Sequence, residues 1–331
     1  MIIETRAFAR AGLLGNPSDG YFGKTISIIV RNFGASITLY QTPELVIEEH
    51  EVDQNRYRNI HQIIEQVNLT GYYGGSRLIK AAIKKFGEYC LNNNFRLENK
   101  NFTIRFNTSI PRQVGLAGSS AIITATMRAL MQFYQVDVPI EHLPSLVLSV
   151  ESEELNINAG LQDRVIQAYE GCVHMDFDKT FMQENGHGRY TPINARKLPR
   201  LYLAYKTELG KVSGTVLNFI KQRYDAGDEK VIGTLHEIAG LADLGKKAIE
   251  GEDYETLNYL INKNFDLRCQ IMNISDSNMQ LVQTARNCGA TAKFSGSGGA
   301  IIGTYEDDDM LRKLIVNLRK INARVIKPYI L

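Results

Sequence analysis

The sequence has few cysteines, no long apolar run and no excess of charge of one sign. Its four cysteines, Cys90, Cys172, Cys269 and Cys288, lie far apart without a metal-ligand spacing, so we interpret them as buried thiols in a reducing compartment. The net charge is only +2, which argues against a nucleic-acid or membrane partner. No apolar run approaches the roughly 20 residues that span a bilayer, and residues 1–10 do not resemble a signal peptide. We therefore expect a cytoplasmic protein, as a monomer or a homodimer.

The chain also lacks internal repeats and low-complexity segments. Its 331 residues and apolar content of 44% are sufficient for two packed domains. Polar and turn-forming residues at 183–200 make the best candidate linker, although an internal loop is an equally good interpretation. We predict an N-terminal domain over residues 1–195 and a C-terminal domain over residues 196–331, in an α+β fold.

Hydrophobic periodicity predicts the main elements. In the first half we expect strands at 24–39 (interrupted at Gly34), 102–106 and 172–177, and helices at 75–92 and 139–154. In the second half we expect helices at 212–224, 231–251 and 254–272, followed by β-rich stretches at 292–305 and 323–329 on either side of a charged helix.

A glycine-rich segment, PRQVGLAGSSA at 111–121, stands directly before a helical pattern. Ile123, Met127, Leu130, Met131 and Tyr134 recur at intervals of three and four, which places the glycines and serines at a helix N-terminus. The unpaired backbone N–H groups and the positive end of the helix dipole make such a terminus suitable for binding phosphate. A tight loop with an ordinary serine cap explains the same residues, so the wider context must decide.

The segment does not match two common nucleotide-binding motifs. A P-loop requires Lys and then Ser or Thr after its second glycine, whereas Gly118 is followed by Ser119 and Ser120. The spacing of Gly115 and Gly118 does not give a dinucleotide fingerprint. The segment instead resembles the second motif of the GHMP kinases, which include galactokinase, homoserine kinase, mevalonate kinase and phosphomevalonate kinase.

The other two motifs of that family occur in the expected order. Residues 10–24, RAGLLGNPSDGYFGK, resemble the first motif, whose loop carries substrate-binding polar groups. Residues 293–303, KFSGSGGAIIG, resemble the third, a glycine-rich loop that packs against the nucleotide phosphates. Taken alone, Gly296, Gly298 and Gly299 also fit a hairpin turn entering a buried strand.

Further phrases, including GYYGG, AGLQDRV and VHMDF, make the resemblance nearly full-length and are similar to those of the glucuronokinases within this family. The resemblance implies a two-domain GHMP kinase fold, with an N-terminal domain like ribosomal protein S5 and a C-terminal domain that closes over the nucleotide. It implies ATP and Mg²⁺ as cofactors and a small-molecule sugar as the second substrate.

The resemblance also implies roles for residues of the phosphate site. Ser120 matches the metal-binding hydroxyl, and Glu151 meets the family's spacing for the acidic metal ligand relative to Asp163. Without that context, Glu151, Glu153 and Glu154 read as a solvated acidic helix end. The nucleotide-binding candidates are Val114, Gly115, Leu116, Ala117, Gly118, Ser119, Ser120, Gly296, Ser297 and Gly298.

Two residues match catalytic positions of the family. Asp163 corresponds to the catalytic Asp, as a general base toward the sugar hydroxyl or as an orienting electrostatic partner. Alone, it reads as a turn or cap residue. Arg10 matches an Arg of the first motif that positions the Asp and screens the γ-phosphate, and a surface salt bridge is its alternative role.

The substrate-binding candidates are Asn16, Asp19, Arg112 and Arg164. Asp19 matches an acid that accepts hydrogen bonds from sugar hydroxyls in galactokinases, but Asn16 and Pro17 replace the Glu and His of those enzymes, which disfavours galactose. A uronate carboxylate calls for a guanidinium partner. Arg112 and Arg164 are both candidates, and a structural ion pair is the alternative for each. Tyr72 and Tyr73 are candidates for lining the adenine site or for the core.

The predicted function is an ATP-dependent sugar 1-kinase acting on D-glucuronate. Two alternatives remain open from the sequence. One is a GHMP kinase with another sugar or small-metabolite acceptor. The other is a non-catalytic sensor of sugar and ATP on the same fold, against which the presence of both Asp163 and Glu151 argues.

Overall fold

The structure, a computed structural model, describes residues 1–48, 55–70, 76–111, 114–207 and 214–331. The strands are β1 (Ile2–Leu14), β2 (Lys24–Thr42), β3 (Leu45–Ile47), β4 (Asn55–Tyr57), β5 (Asn101–Thr108), β6 (Cys172–Asp176), β7 (Arg189–Ile193), β8 (Leu201–Lys206), β9 (Lys293–Phe294), β10 (Ala300–Thr304) and β11 (Ala323–Ile326). The helices are α1 (Ile60–Thr70), α2 (Arg77–Asn92), α3 (Gly118–Tyr134), α4 (Leu143–Ser149), α5 (Gln162–Tyr169), α6 (Lys179–Asn185), α7 (Gly214–Asp225), α8 (Glu229–Glu250), α9 (Tyr254–Ile271), α10 (Asp276–Arg286) and α11 (Asp308–Arg319). Among these described helices, none has the length and apolar character required to cross a membrane.

The chain forms two compact units, each assembled from separate stretches of sequence. The first comprises Met1–Ala9, Phe33–Ile110 and Gly118–Ala168. The second comprises Arg10–Asn32, Pro111–Ala117 and Tyr169–Leu331. The division predicted at 195/196 falls between β7 and β8, inside the second unit, and as a statement about the family's two domains it stays a prediction.

In the first unit, helices pack beside a small sheet. Residues 35–42 of β2 pair antiparallel with β5, and β3 pairs with β5 on one side and β4 on the other. Helix α3 packs against α2 and α4, and most of its side chains are buried. Phe102 of β5 meets Phe133 of α3 edge to face, with ring centroids 5.3 Å apart. This packing fixes the position of the N-terminus of α3.

In the second unit, three helices share a hydrophobic core with a four-stranded sheet. Strand β8 lies between β10 and β11 and is antiparallel to both, and β9 pairs with β10. Side chains from α9, α10 and α11, such as Phe265, Leu281 and Leu314, form one core cluster with Tyr202 and Ile301 of the sheet. Residues 24–28 of β2 pair with β6, which also pairs with β7.

Most of the predicted elements are present, but three predictions differ from the structure. Strand β2 continues through Gly34, where an added Cβ would lie 3.1 Å from the Phe8 ring, so the glycine permits close packing rather than a break. The helix predicted over 139–154 begins only at Leu143, with Pro144 in its first turn, and ends in a separate π-helical turn, Val150–Glu154. The linker interpretation of 183–200 is wrong, because β7 lies within it and pairs with β6.

Candidate active site

Glu151 lies in the π-helical turn that follows α4, and its carboxylate is 1% exposed. Ser119, in the first turn of α3, donates a hydrogen bond from its Oγ to Glu151 Oε1 over 2.7 Å. A π-helical turn redirects side chains within a helix and is frequent at functional sites. The N-terminus of α3 and this turn therefore bring a hydroxyl and a carboxylate together in the first unit.

The three neighbouring glutamates divide between two environments. Glu153 Oε2 lies 2.8 Å from Lys85 Nζ, and Glu154 Oε1 lies 2.5 Å from Lys84 Nζ, both lysines belonging to α2. Glu151 instead is buried and accepts from Ser119. The solvated-face interpretation fits Glu153, whose side chain is 64% exposed, but it does not fit Glu151.

Arg164 links Glu151 to Asp163. Its Nη2 donates to Glu151 Oε2, and its Nη1 donates to Gly160 O over 2.6 Å. Nη1 also lies 3.5 Å from Asp163 Oδ2, while the Arg164 side chain is only 3% exposed. We call Ser119, Glu151, Asp163 and Arg164 the acidic cluster. Its four members all belong to the first unit.

Asp163 occupies the first turn of α5, where a negative charge is favoured by the helix dipole. Its side chain is 16% exposed, more than those of Glu151 and Arg164. Asp163 is therefore more accessible to a reactant than Glu151 or Arg164. Ser120, beside Ser119 in α3, is fully buried.

The described contacts of Arg164 favour the structural ion pair that the sequence left open for it, since its guanidinium is engaged by Glu151 and Gly160. The other proposed carboxylate partner, Arg112, lies outside the described residues, and so do Tyr72 and Tyr73.

Two glycine-rich loops pack backbone to backbone in the second unit. Gly115 has a φ of +71°, and a Cβ added to it would lie 2.7 Å from the carbonyl oxygen of Gly298. A Cβ added to Gly296 would lie 2.4 Å from the carbonyl oxygen of Gly115. Residues 295–299 also form the hairpin connection between β9 and β10. The hairpin interpretation is therefore confirmed, and the packing of this loop against nucleotide phosphates stays a prediction.

Arg10 hydrogen bonds to both loops. Its Nη1 donates to Gly115 O over 2.6 Å and to Ser295 O over 3.1 Å, and the residue is 5% exposed. Its backbone N–H donates to Leu116 O, and Gly12 N–H donates to Ser295 O. These contacts assign Arg10 a positioning role on the loops, and they do not fit its alternative reading as a surface salt bridge. A direct catalytic role for Arg10 stays a prediction.

Asn16 and Asp19 lie in the segment of the first motif, also in the second unit. Asn16 is 1% exposed and its Oδ1 accepts from Lys293 Nζ over 2.5 Å. Asn264 of α9 fixes the same segment, since it accepts from Gly15 N–H and donates to Asn16 O. Asp19 is half-buried in the 3₁₀ turn Ser18–Tyr21. Asn16 is thus tightly held, whereas Asp19 is partly accessible.

Sequence reasoning missed Arg268 and Lys293, both of which are fully buried in the second unit. Burial lowers the pKa of Arg268 to about 10 and lowers the pKa of Lys293 well below its ordinary value. Lys293 carried a signal, because a lysine directly before a buried strand is unusual. Arg268 carried none, since arginine is common on amphipathic helices.

The oxygen donors of the acidic cluster suit magnesium. Among the described residues, no group of three or more His, Cys, Asp or Glu side chains is placed to hold a metal ion. Mg²⁺ needs fewer protein ligands, because it is bound through one or two carboxylates plus substrate phosphates and retains waters. One buried carboxylate beside the hydroxyl of Ser119 fits that chemistry.

Comparison with known proteins decides the family. Residues 77–171 match the family described as GHMP kinases N terminal domain. Glucuronokinase 1 of Arabidopsis thaliana is 44% identical over 306 residues, which cover 91% of this chain and 84% of that protein. Probable glucuronokinase 2 of the same plant is 44% identical over 334 residues, covering 99% and 91%. The chain belongs to the GHMP kinase family.

This GHMP kinase has the fold of its family. The crystal structure of Methanococcus jannaschii mevalonate kinase matches it with a TM-score of 0.75 at 20% identity, covering 100% of this chain and 98% of that one. That of Lactococcus lactis galactokinase complexed with galactose matches with a TM-score of 0.81 at 14% identity, covering 99% and 93%. The predicted α+β GHMP kinase fold is confirmed, and the chain is an ATP-dependent phosphotransferase.

Proposed function

We propose that this GHMP kinase transfers the γ-phosphoryl group of ATP to the anomeric hydroxyl of D-glucuronate, giving glucuronate 1-phosphate and ADP. The observation that carries this proposal is the 44% identity to two glucuronokinases over nearly the whole chain. The heptose kinase of Campylobacter jejuni is 24% identical over a similar length. The much higher identity to the glucuronokinases supports the uronate as acceptor.

The glycine-rich segments are the expected phosphate-binding segments. Backbone N–H groups of 114–120 would bind the phosphates, because an N-terminal helix turn presents unpaired donors and a positive dipole end. The packing of Gly115 against Gly298 shapes the loops of the second unit. Gly296, Ser297 and Gly298 would supply further backbone N–H groups in these loops. Arg10 fixes both loops by donating to their carbonyl oxygens.

Ser120 and Glu151 are the residues that would hold Mg²⁺, with Ser119 next to them on Glu151. Bound there, the ion neutralises charge that develops on the phosphates during transfer. Arg164 would keep the Glu151 carboxylate correctly oriented, since it donates to Oε2. The other oxygen, Oε1, faces the serine at the start of α3.

Asp163 would accept the proton of the attacking sugar hydroxyl or orient that hydroxyl. Its placement in the first turn of α5 and its contact with Arg164 Nη1 support this role. Asn16 and Asp19 are the proposed partners of sugar hydroxyls, in the segment that Asn264 and Lys293 hold in place.

An ADP-release assay with a panel of acceptors tests the proposal. The protein, ATP and Mg²⁺ are incubated with D-glucuronate, D-galacturonate, D-glucose, D-galactose and mevalonate in turn. We expect the highest kcat/KM with glucuronate. Faster turnover of a neutral sugar would reject the uronate as acceptor while keeping the kinase, and binding of sugar and ATP without ADP release would favour a sensor.

A further inference from the structure

Arg268 is a fully buried cation with unused hydrogen-bonding capacity. Its Nη2 donates to Gly296 O over 3.0 Å. Its Nε and Nη1 are shielded from solvent and have no hydrogen-bond partner among the described residues. The guanidinium also lies over the Phe294 ring, 5.2 Å from its centroid, which compensates only part of the cost of burial.

Its neighbour Lys293 offers no compensating negative charge. The three donors of its ammonium group go to neutral oxygens, namely Gly12 O at 2.7 Å, Asn16 Oδ1 at 2.5 Å and Phe294 O at 2.9 Å. The positive charges of Arg268 and Arg10 add to burial in lowering the pKa of Lys293. We call Arg10, Arg268 and Lys293 the cationic cluster.

Burial lowers the pKa of Arg268 to about 10. The nearby Cys269 and Asp19 act in the opposite direction but offset only part of that effect. Burying a cation without an opposite charge costs several kcal/mol. Binding of an anionic ligand beside Arg268 would offset this cost.

The position of Arg268 on α9 indicates which substrate lies near it. Asn264 lies four residues earlier and so on the same face of the helix. Asn264 hydrogen bonds to Gly15 and Asn16. This face of α9 therefore meets the segment in which Asn16 and Asp19 are the proposed sugar partners. Arg268 therefore lies one helical turn from a residue that holds this segment in place.

We propose that Arg268 binds the carboxylate of the acceptor sugar and so selects a uronate over a neutral hexose. The assignment rests on the proposed function. A guanidinium binds a carboxylate through charge-assisted hydrogen bonds, and Nη1 of Arg268 has donors without an acceptor among the described residues. Because Nε and Nη1 are closed to solvent, binding also requires a local shift of the residues that cover them.

Two substitutions at Arg268 and one control test this proposal. Arg268→Met removes the charge and keeps much of the volume, whereas Arg268→Lys keeps the charge but loses the planar fork. Lys263→Met is the control, because Lys263 belongs to the same helix but pairs with Glu237 in a partly exposed position. For each protein, KM and kcat are measured separately for glucuronate and for ATP. Thermal unfolding is followed with and without glucuronate.

We expect Arg268→Met to raise KM for glucuronate by about 100-fold, within the range for removing one partner of a buried charge pair. KM for ATP should rise much less than KM for glucuronate, because Arg268→Met also removes the contact with Gly296 O, and Arg268→Lys should be intermediate. Glucuronate should raise the melting temperature of the unaltered protein and of Lys263→Met, but not of Arg268→Met. If Arg268→Met does not fold, the same comparison is made with Arg268→Lys.

Three outcomes would overturn the assignment. An unchanged KM for glucuronate in the folded Arg268 variants would remove Arg268 from acceptor binding. A rise in KM for ATP alone would make the anion a nucleotide phosphate. A lower melting temperature with the glucuronate shift retained would make Arg268 structural only. Absence of turnover by the unaltered protein is a different result, since it rejects the proposed function itself.

Discussion

The acidic cluster and the cationic cluster both bury charge, but they balance it differently. In the acidic cluster of the first unit, Glu151 is matched by Arg164 and Ser119. In the cationic cluster of the second unit, Lys293 rests on neutral oxygens and Arg268 has unused donors. A balanced cluster is stable by itself and holds its groups in position. An unbalanced cluster is stabilised when a ligand of opposite charge binds to it. The difference teaches that the protein balances the buried charge of one cluster internally and leaves hydrogen-bond donors unused in the other.

The largest expected effect is on chemistry in the acidic cluster. Asp163→Asn keeps the size of the side chain but removes the proton acceptor, so we expect kcat to fall by about 100-fold to 10,000-fold. The circular dichroism spectrum and the melting temperature should stay close to those of the unaltered protein. Activity near that of the unaltered protein would remove Asp163 from the reaction.

The balance within the acidic cluster predicts strong coupling between Glu151 and Arg164. Either Glu151→Gln or Arg164→Met leaves a buried charge without its partner, which costs about 3–5 kcal/mol of unfolding free energy. The double variant should lose much less than the sum of the two single losses. Urea unfolding of the four proteins measures this cycle. Additive losses would show that the pair is not a coupled unit.

The loop packing predicts a smaller effect at Gly115. Gly115→Ala places a Cβ 2.7 Å from Gly298 O at a positive φ, so we expect a higher KM for ATP. Gly171→Ala is the matched control, because Gly171 also has a positive φ (+65°) but no atom within 4 Å of the added Cβ. Both variants should lose about 1–2 kcal/mol through backbone strain, and only Gly115→Ala should lose more and affect ATP. Equal behaviour of the two variants would contradict the close packing of the loops.

The smallest effect is expected beside the acidic cluster. Glu153→Gln breaks a contact with Lys85 in which the glutamate side chain is 64% exposed, so the unfolding free energy should change by less than about 1 kcal/mol. The activity and its dependence on Mg²⁺ should be unaffected. A loss comparable to that of Glu151→Gln would mean that the two glutamates share one role.

The sequence predicted those parts of the molecule whose signals are local. The helical period from Ile123 to Tyr134 located α3, and the glycines at 115 and 296–299 located loops that require a left-handed backbone or close approach. Elements with short or weak patterns, such as α1, α10, β3 and β4, were not predicted. Their residues are organised by neighbours distant in sequence.

The pairing of side chains was harder to predict than the elements. The Arg164–Glu151 contact depends on a π-helical turn that interrupts an otherwise ordinary helical pattern. The burial of Arg268 depends on β9 and the loops that surround α9. Neither is encoded in local periodicity, because both arise when separate segments of the chain pack together.

The identity of the product tests the central claim most directly. The protein is incubated with ATP, Mg²⁺ and D-glucuronate, and the product is examined by ¹H and ³¹P NMR. Our account predicts a single phosphorylated sugar whose anomeric proton is coupled to phosphorus. A phosphate on another hydroxyl, or consumption of ATP with a neutral hexose but not with glucuronate, would contradict it.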